Sequence, residues 1–120
     1  MKEQLANKNV IQGKAYNFAL SIIDLYRKMK LQNEYILSKQ LVRSGTSIKA
    51  NIQEAGAAQS RKDFISKMSI ASKEARETNY WLRLLRDSKL CEDVNFDDIL
   101  TKSEEIIRIL TSIVKTSQKR

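Results

Sequence analysis

The chain has 120 residues, of which 42% are apolar and 30% charged, and a formal net charge of +8, which fits one globular domain over residues 1–120 and excludes a multidomain enzyme. Because there is no proline and there are only three glycines, the turns of an all-β protein would lack their usual residues, and an all-helical fold is expected. The absence of histidine and the presence of one cysteine, Cys91, exclude catalytic triads that rely on imidazole, disulfides within the chain and metal sites rich in cysteine or histidine.

The first two predicted helices carry apolar residues at the spacing of a helix with one buried face. The first covers residues 10–31, and its stripe consists of Phe18, Ile22, Leu25 and Met29. The second covers residues 34–58, and its buried face is predicted to hold Leu41, Gly45, Ile48, Ile52 and Ala55. Glycine within a helix costs about 1 kcal/mol relative to alanine, so Gly45 is expected to make room for a neighbouring helix.

The third predicted helix covers residues 61–87 and has the clearest apolar stripe in the chain. The members of this stripe alternate at spacings of four and three residues, as in a helical bundle, and are Phe64, Met68, Ala71, Ala75, Thr78, Leu82 and Leu85. Ser60 precedes this helix and Asp63 follows three residues later, which predicts a side-chain cap. The fourth helix covers residues 96–117, with Asn95 as its predicted cap.

The fourth predicted helix is apolar over a wider arc than the other three. Ile99, Ile106 and Ile113 form one line, and further apolar residues lie beside it. A wide apolar arc indicates either a deeply embedded helix or an oligomer interface. We predict an interface, with Ile106 and Ile113 as its candidate residues.

Three motifs on the second and third helices resemble a known family. They are RSGTSIxANIxEA at residues 43–55, AQSRKDFIxKxSIA at residues 58–71 and KEARETxYWLRLL at residues 73–85. In this order and spacing they resemble the bacterial four-helix-bundle family named after proteins encoded in intervening sequences of 23S ribosomal RNA genes. The resemblance implies an all-α, up-and-down antiparallel four-helix bundle that assembles into a homopentamer. Relatives include the accessory variability protein of diversity-generating retroelements, which works with a reverse transcriptase and binds nucleic acid through basic surfaces.

Positive charge is concentrated in the first three-quarters of the chain and at its C-terminal end, whereas residues 91–114 hold six acidic and two basic residues. Such an excess attracts RNA or DNA where it clusters in space, although it also serves solubility. Arg76 and Arg83 share a helix face that could contact phosphates, but the interleaved Glu74 and Glu77 also fit a face of solvated ion pairs. The candidate nucleic-acid-binding residues are Arg43, Lys49, Arg61, Lys62, Lys67, Lys73, Arg76, Arg83 and Arg86.

Three more residues are candidates for setting the register between helices or subunits. Glu54 and Glu77 are expected to form buried ion pairs with Arg43 or Arg76, because pairs of that kind specify geometry more than they add stability. Trp81 either stacks on single-stranded bases or fills a subunit contact, where tryptophan is enriched. We favour the subunit contact for Trp81.

The residues and the resemblance together predict a non-enzymatic, oligomeric protein with no catalytic residue, cofactor or metal. It is expected to bind RNA or DNA through basic surface and to work with a protein partner such as a nucleic-acid-processing enzyme. The alternative is a structural scaffold for protein interactions that has no nucleic-acid role. Because the sequence shows neither a secretory leader nor an apolar run long enough for a membrane, a cytoplasmic protein without a membrane partner is expected.

Overall fold

The computed structural model describes residues 2–119, with side chains described for residues 7–119. Its helices are α1 (Lys2–Leu31), α2 (Leu37–Gly56), α3 (Arg61–Ser88) and α4 (Asp97–Gln118). Each helix packs on two neighbours in the ring order α1, α2, α3, α4, and over the described residues the diagonal pairs do not approach each other. Short links join successive helices, which therefore run in opposite directions and form an elongated bundle of 47 by 22 by 19 Å. The predicted all-α class is confirmed.

The core lies along the centre of this ring and is built from the apolar stripes that periodicity predicts. All four helices contribute to it. Its largest fully buried side chains are Phe18, Ile11, Ile22, Met29, Leu41, Ile48, Ile52, Met68, Leu82, Leu85, Ile106 and Leu110. Burying one such side chain stabilises the fold by about 1.5 to 3 kcal/mol relative to leaving it in water, so this stripe pattern determines the fold.

The wide apolar arc of α4 belongs to this core, which corrects its assignment to an oligomer interface. Ile106 is 1% exposed and Ile113 is 4% exposed within the single chain. The physical reason is the ring arrangement, since α4 has to bury one flank against α1, the other against α3 and its middle in the centre of the bundle. Ile106 and Ile113 are therefore core residues rather than a free surface.

Helix α1 begins at Lys2 rather than near residue 10, which corrects the expectation that the first nine residues are loose. This segment, KEQLANKN, consists largely of good helix formers and contains neither glycine nor proline. The ammonium of Lys8 lies 4.5 Å from the centre of the Phe64 ring, a cation–π contact that links the start of α1 to α3. The N-terminal turns therefore continue the helix.

Helix α2 begins at Leu37, later than predicted, because Glu34 acts as its cap. One Glu34 carboxylate oxygen accepts hydrogen bonds from the backbone N–H groups of Ile36 and Leu37, at 3.2 and 2.9 Å. The other oxygen accepts one from the N–H of Ser38 at 2.6 Å. A carboxylate at this position also interacts favourably with the positive end of the helix dipole.

Ser60 and Asn95 both bond to the first turn of the helix that follows them, as predicted. Ser60 Oγ accepts a hydrogen bond from the N–H of Asp63 at 3.0 Å, and α3 begins at Arg61. Asn95 Oδ1 accepts one from the N–H of Asp97 at 3.0 Å, and α4 begins at Asp97. Each side chain satisfies an N–H group that has no partner within its helix.

Replacing Ser60 with alanine is expected to lower the free energy of unfolding by about 1 kcal/mol, because the cap at the start of α3 is lost. Urea denaturation followed by far-UV circular dichroism would measure it. Ser66 is an exposed residue within the same helix, and Ser66→Ala serves as the control. The control should stabilise slightly through helix propensity, so equal losses in both variants would contradict the capping role.

Over the described residues, no helix is both long and apolar enough to cross a bilayer. In the same part of the chain, no group of three acidic or cysteine side chains is placed to share a metal ion. Cys91 is buried in the link between α3 and α4, where burial, and then the negative charge of Glu34, raise the pKa of its thiol. A thiol with a raised pKa is a poor nucleophile at neutral pH.

Candidate nucleic-acid interface

Two hydrogen bonds show which side of α3 faces α4. Arg76 Nη2 donates to Thr111 Oγ1 at 3.1 Å, and Asn79 Nδ2 donates to Ser103 Oγ at 2.8 Å. Thr111 and Ser103 both belong to α4, so residues of α3 at helical spacing from Arg76 line the same side. This side forms the outer surface between α3 and α4.

Four of the predicted basic residues lie along this side of α3. Lys73 precedes Arg76 by three residues, Lys62 precedes it by fourteen, and Arg83 follows it by seven. All four side chains are exposed. At 1.5 Å per residue, the row from Lys62 to Arg83 extends over about 30 Å.

Helix α4 adds two basic residues that the sequence analysis missed. Arg108 lies three residues before Thr111 and Lys115 lies four residues after it, so both share the face that Thr111 presents to α3. Both side chains are exposed. Their seven-residue spacing on the polar side of α4 was a visible signal, but periodicity within α4 does not reveal which helix lies beside that side. We call the six residues together the basic face: Lys62, Lys73, Arg76, Arg83, Arg108 and Lys115.

Two arginines of the basic face are oriented by neutral partners. Arg76 donates to the Thr111 hydroxyl, and Arg83 Nε donates to Asn79 Oδ1 at 2.9 Å. A hydroxyl or an amide holds a guanidinium in place without cancelling its charge. Both arginines therefore combine a defined position with a full positive charge.

The acidic residues of α3 that raised the possibility of a salt-bridged face point toward α2. Arg43 of α2 lies 3.4 Å from the Glu74 carboxylate and is also hydrogen-bonded to Glu77. The interleaved carboxylates are therefore separated from the basic face by the width of α3. Asp97 and Glu104 of α4 lie near Arg86, at the end of the bundle where α3 ends and α4 begins.

The other predicted basic residues are dispersed over the molecule. Arg61 donates two hydrogen bonds to the carbonyl of Ser117, at 3.1 and 2.8 Å, near the end of α4. Arg86 Nε donates to Asp87 at 2.7 Å, and this hydrogen bond raises the pKa of the guanidinium and lowers the pKa of the carboxyl. Lys49 bonds to Gln12 and Gln53 between α1 and α2. Neither Arg86 nor Lys49 extends the basic face.

The predicted register pairs are present only in part and are not buried. Glu77 pairs with Arg43 as expected, but the two side chains are 36% and 50% exposed. Glu54 pairs instead with Lys67 at 3.2 Å, because the end of α2 lies beside the start of α3 in an antiparallel pair. Ion pairs this exposed are worth about 1 kcal/mol or less, so the apolar core rather than these charges sets the register.

Trp81 is partly buried and packs against the core of its own chain. Its indole Nε1 donates to Glu77 at 3.0 Å. The Tyr80 ring contacts it edge to face, with ring centres 5.0 Å apart. The indole is thus held in place on the outer side of α3, next to the basic face.

A separate cleft of about 200 Å³ lies between α1 and α4. Lys14 and Glu105 line it and form an ion pair with each other at 3.0 Å. Phe18 and Ile106 of the core form part of its wall. This cleft faces away from the basic face, on the opposite flank of α4.

Comparisons with known proteins agree with this architecture. The family model described as 23S rRNA-intervening sequence protein matches residues 7–112. A crystal structure from Bacteroides thetaiotaomicron VPI-5482, described as a protein with unknown function from the S23 ribosomal protein family, is 47% identical, with a TM-score of 0.85. The similarity covers 91% of this chain and 98% of that one. No functionally curated protein matches the chain significantly.

Proposed function

The chain belongs to the 23S rRNA-intervening sequence protein family, and we propose that it is a non-enzymatic, oligomeric helical-bundle module, a homopentamer, that binds RNA or DNA through the basic face. In this proposal it acts in the cytoplasm, alongside a protein partner that processes nucleic acid. The sequence has no histidine, and the pKa of its one thiol is raised, which supports a role outside catalysis.

The arrangement of Arg76 and Arg83 is the observation that carries this proposal. Neutral side chains orient both guanidinium groups, and the carboxylates of the same helix pair on its other side. Guanidinium groups recognise phosphate through paired N–H donors in a fixed plane, so such preorganisation favours binding to a nucleic-acid backbone. The remaining residues of the basic face add charge along the same row.

Binding of this kind depends strongly on salt. Each phosphate that a cation neutralises releases counterions, and the slope of log affinity against log salt becomes steeper by about 0.7 per contact for single strands and about 0.9 for duplexes. Contacts to the backbone carry little sequence information. The proposal therefore predicts steep salt dependence with weak sequence preference.

Reversing two charges of the basic face, with Arg76→Glu and Arg108→Glu together, is expected to weaken binding of a mixed-sequence single-stranded RNA at least tenfold at low salt. The slope of log affinity against log salt should become shallower by about 1 to 2. Fluorescence anisotropy between about 50 and 200 mM salt would measure both quantities. The matching experiment with duplex DNA would compare the two nucleic acids.

The control reverses two exposed lysines elsewhere, with Lys39→Glu on α2 and Lys102→Glu on α4. Both double variants change the net charge equally, so a general charge effect would weaken binding to the same extent in both. Equal losses would therefore contradict a specific basic face. If the unaltered protein showed no binding at low salt, the nucleic-acid role would be wrong and the scaffold alternative would be favoured.

A further inference from the structure

Helix α1 carries a second apolar stripe on the side opposite the core. Tyr16, Leu20 and Ile23 follow one another at spacings of four and three residues and are 56%, 51% and 37% exposed. Since α1 packs only on α2 and α4, no other described helix covers this side. We call these three residues the α1 outer stripe.

Helix α3 carries a corresponding stripe on its own outer side. Ile70 and Tyr80 are 39% and 46% exposed, and Trp81 and Leu84 are half-buried beside them. We call these four residues the α3 outer stripe. Since α1 and α3 occupy diagonal positions in the ring of helices, the two stripes point to opposite sides of the bundle.

Packing across α2 places the two stripes at the same level along the bundle. Ile22 of α1 lies against Gly45, where an added Cβ would be 2.9 Å from its side chain. The hydroxyl of Ser44, the residue before Gly45, is 2.9 Å from the hydroxyl of Thr78 on α3. Ile22 and Thr78 therefore share a level, in two helices that run in the same direction. Leu20 and Ile23 flank the former, and the α3 outer stripe surrounds the latter.

The polar ends of the two stripes have opposite charges. Arg27 follows Ile23 by four residues on α1 and is exposed. Asp87 follows Leu84 by three residues on α3, and its carboxylate is 66% exposed although it already accepts a hydrogen bond from Arg86. Arg27 and Asp87 both lie toward the end of the bundle where their helices terminate. The stripes thus match in level, in apolar character and in flanking charge.

We propose that the α1 outer stripe of one copy of this chain packs against the α3 outer stripe of the next copy. This inference rests on the proposed function, because it supplies the contact through which the chain would form its oligomer. A shallow depression lined by Tyr80, Arg83, Leu84, Asp87 and Ser88 gives the side chain of Leu20 a place to insert.

The contact joins two different surfaces and is therefore heterologous. Repeated heterologous contacts produce a closed ring when the rotation closes and a filament when it does not. Because the two stripes lie at one level, successive copies have no offset along the bundle axis, which favours the ring. The basic face lies beside the α3 outer stripe, so the ring repeats it once per copy around the assembly.

The test uses one variant for each stripe, Leu20→Asp on α1 and Tyr80→Asp on α3, with light scattering on a size-exclusion column. Both positions are about half exposed, and circular dichroism would verify that the helices are retained. Each variant alone is expected to be monomeric. An equimolar mixture is expected to form a dimer of one copy of each, because every copy keeps one intact stripe. Val10 is 43% exposed on another side of α1, and Val10→Asp should leave the assembly unchanged.

Three other outcomes would overturn this contact in distinguishable ways. If both variants remained oligomeric, a different surface would hold the assembly, and the proposed oligomer would stand. If only Leu20→Asp dissociated the protein, α1 would pair with α1 in an isologous contact. If the unaltered protein were a monomer, the contact and the oligomeric part of the proposed function would both be wrong, while binding of RNA by the basic face would still be decided by anisotropy.

Discussion

Replacing Gly45 with valine is expected to lower the free energy of unfolding by about 3 kcal/mol, because the backbone of α2 has no room for a branched side chain. A Cβ at this position would lie 2.9 Å from both Ile22 Cγ1 and Cγ2, and Ile22 is fully buried. Neither helix can move apart without opening the core around it. Urea denaturation followed by circular dichroism would measure the loss.

Gly13 provides the matched control for this substitution. It lies within α1, and nothing is within 4 Å of the position a Cβ would take there. Gly13→Val should therefore be neutral or slightly stabilising, since valine is the better helix former of the two. A double variant gives a second check, because Gly45→Ala should cost less when Ile22→Val removes a methyl group from the contact. Equal effects at Gly13 and Gly45 would contradict close packing at Gly45.

The inward faces of the helices could be predicted from the sequence because burial and periodicity are properties of one helix at a time. The spacing of Phe18 and Ile22, or of Met68 and Leu82, requires no knowledge of any neighbour. Gly45 was readable for the same reason, since its position within a buried stripe already indicates a close approach. These residues determine the four-helix fold.

The positions of the charges depend on which helix lies on each side of α3, and periodicity does not contain that information. Arg76 and Glu77 are adjacent in sequence, yet Arg76 contacts α4 and Glu77 contacts α2. A bundle with the opposite ring order would exchange these neighbours while leaving every stripe unchanged. Arg108 and Lys115 join the basic face only because the ring order is the one observed. The same limit explains why Glu54 was expected beside an arginine and is found beside Lys67.

The apolar arc of α4 and the outer stripe of α1 show a second limit. An arc of unusual width on α4 indicated an oligomer surface, but two flanking helices and the bundle centre bury it. On α1, Tyr16, Leu20 and Ile23 follow a regular spacing that lies opposite the core stripe. Two separate stripes on one helix, rather than one wide stripe, are the pattern of a helix that contacts its own bundle on one side and has a free apolar side on the other.

Replacing Ile106 with asparagine is expected to unfold much of the protein rather than dissociate it. Loss of a buried isoleucine side chain costs about 2 to 5 kcal/mol, and a buried amide without hydrogen-bond partners adds about 1 to 3 kcal/mol. The sum approaches the total stability of a typical domain, about 5 to 15 kcal/mol. Circular dichroism and light scattering on the same sample would separate loss of helix from loss of assembly.

Ile109 on the same helix is half-buried and gives the comparison for this change. Ile109→Asn should cost far less, because part of the amide stays in contact with water. Reduced helix content and a lowered unfolding midpoint in Ile106→Asn alone would establish Ile106 as a core residue. A helical but monomeric Ile106→Asn protein would instead return α4 to the subunit interface and remove the need for the α1 outer stripe, so this substitution and Leu20→Asp together decide which helix joins one copy to the next.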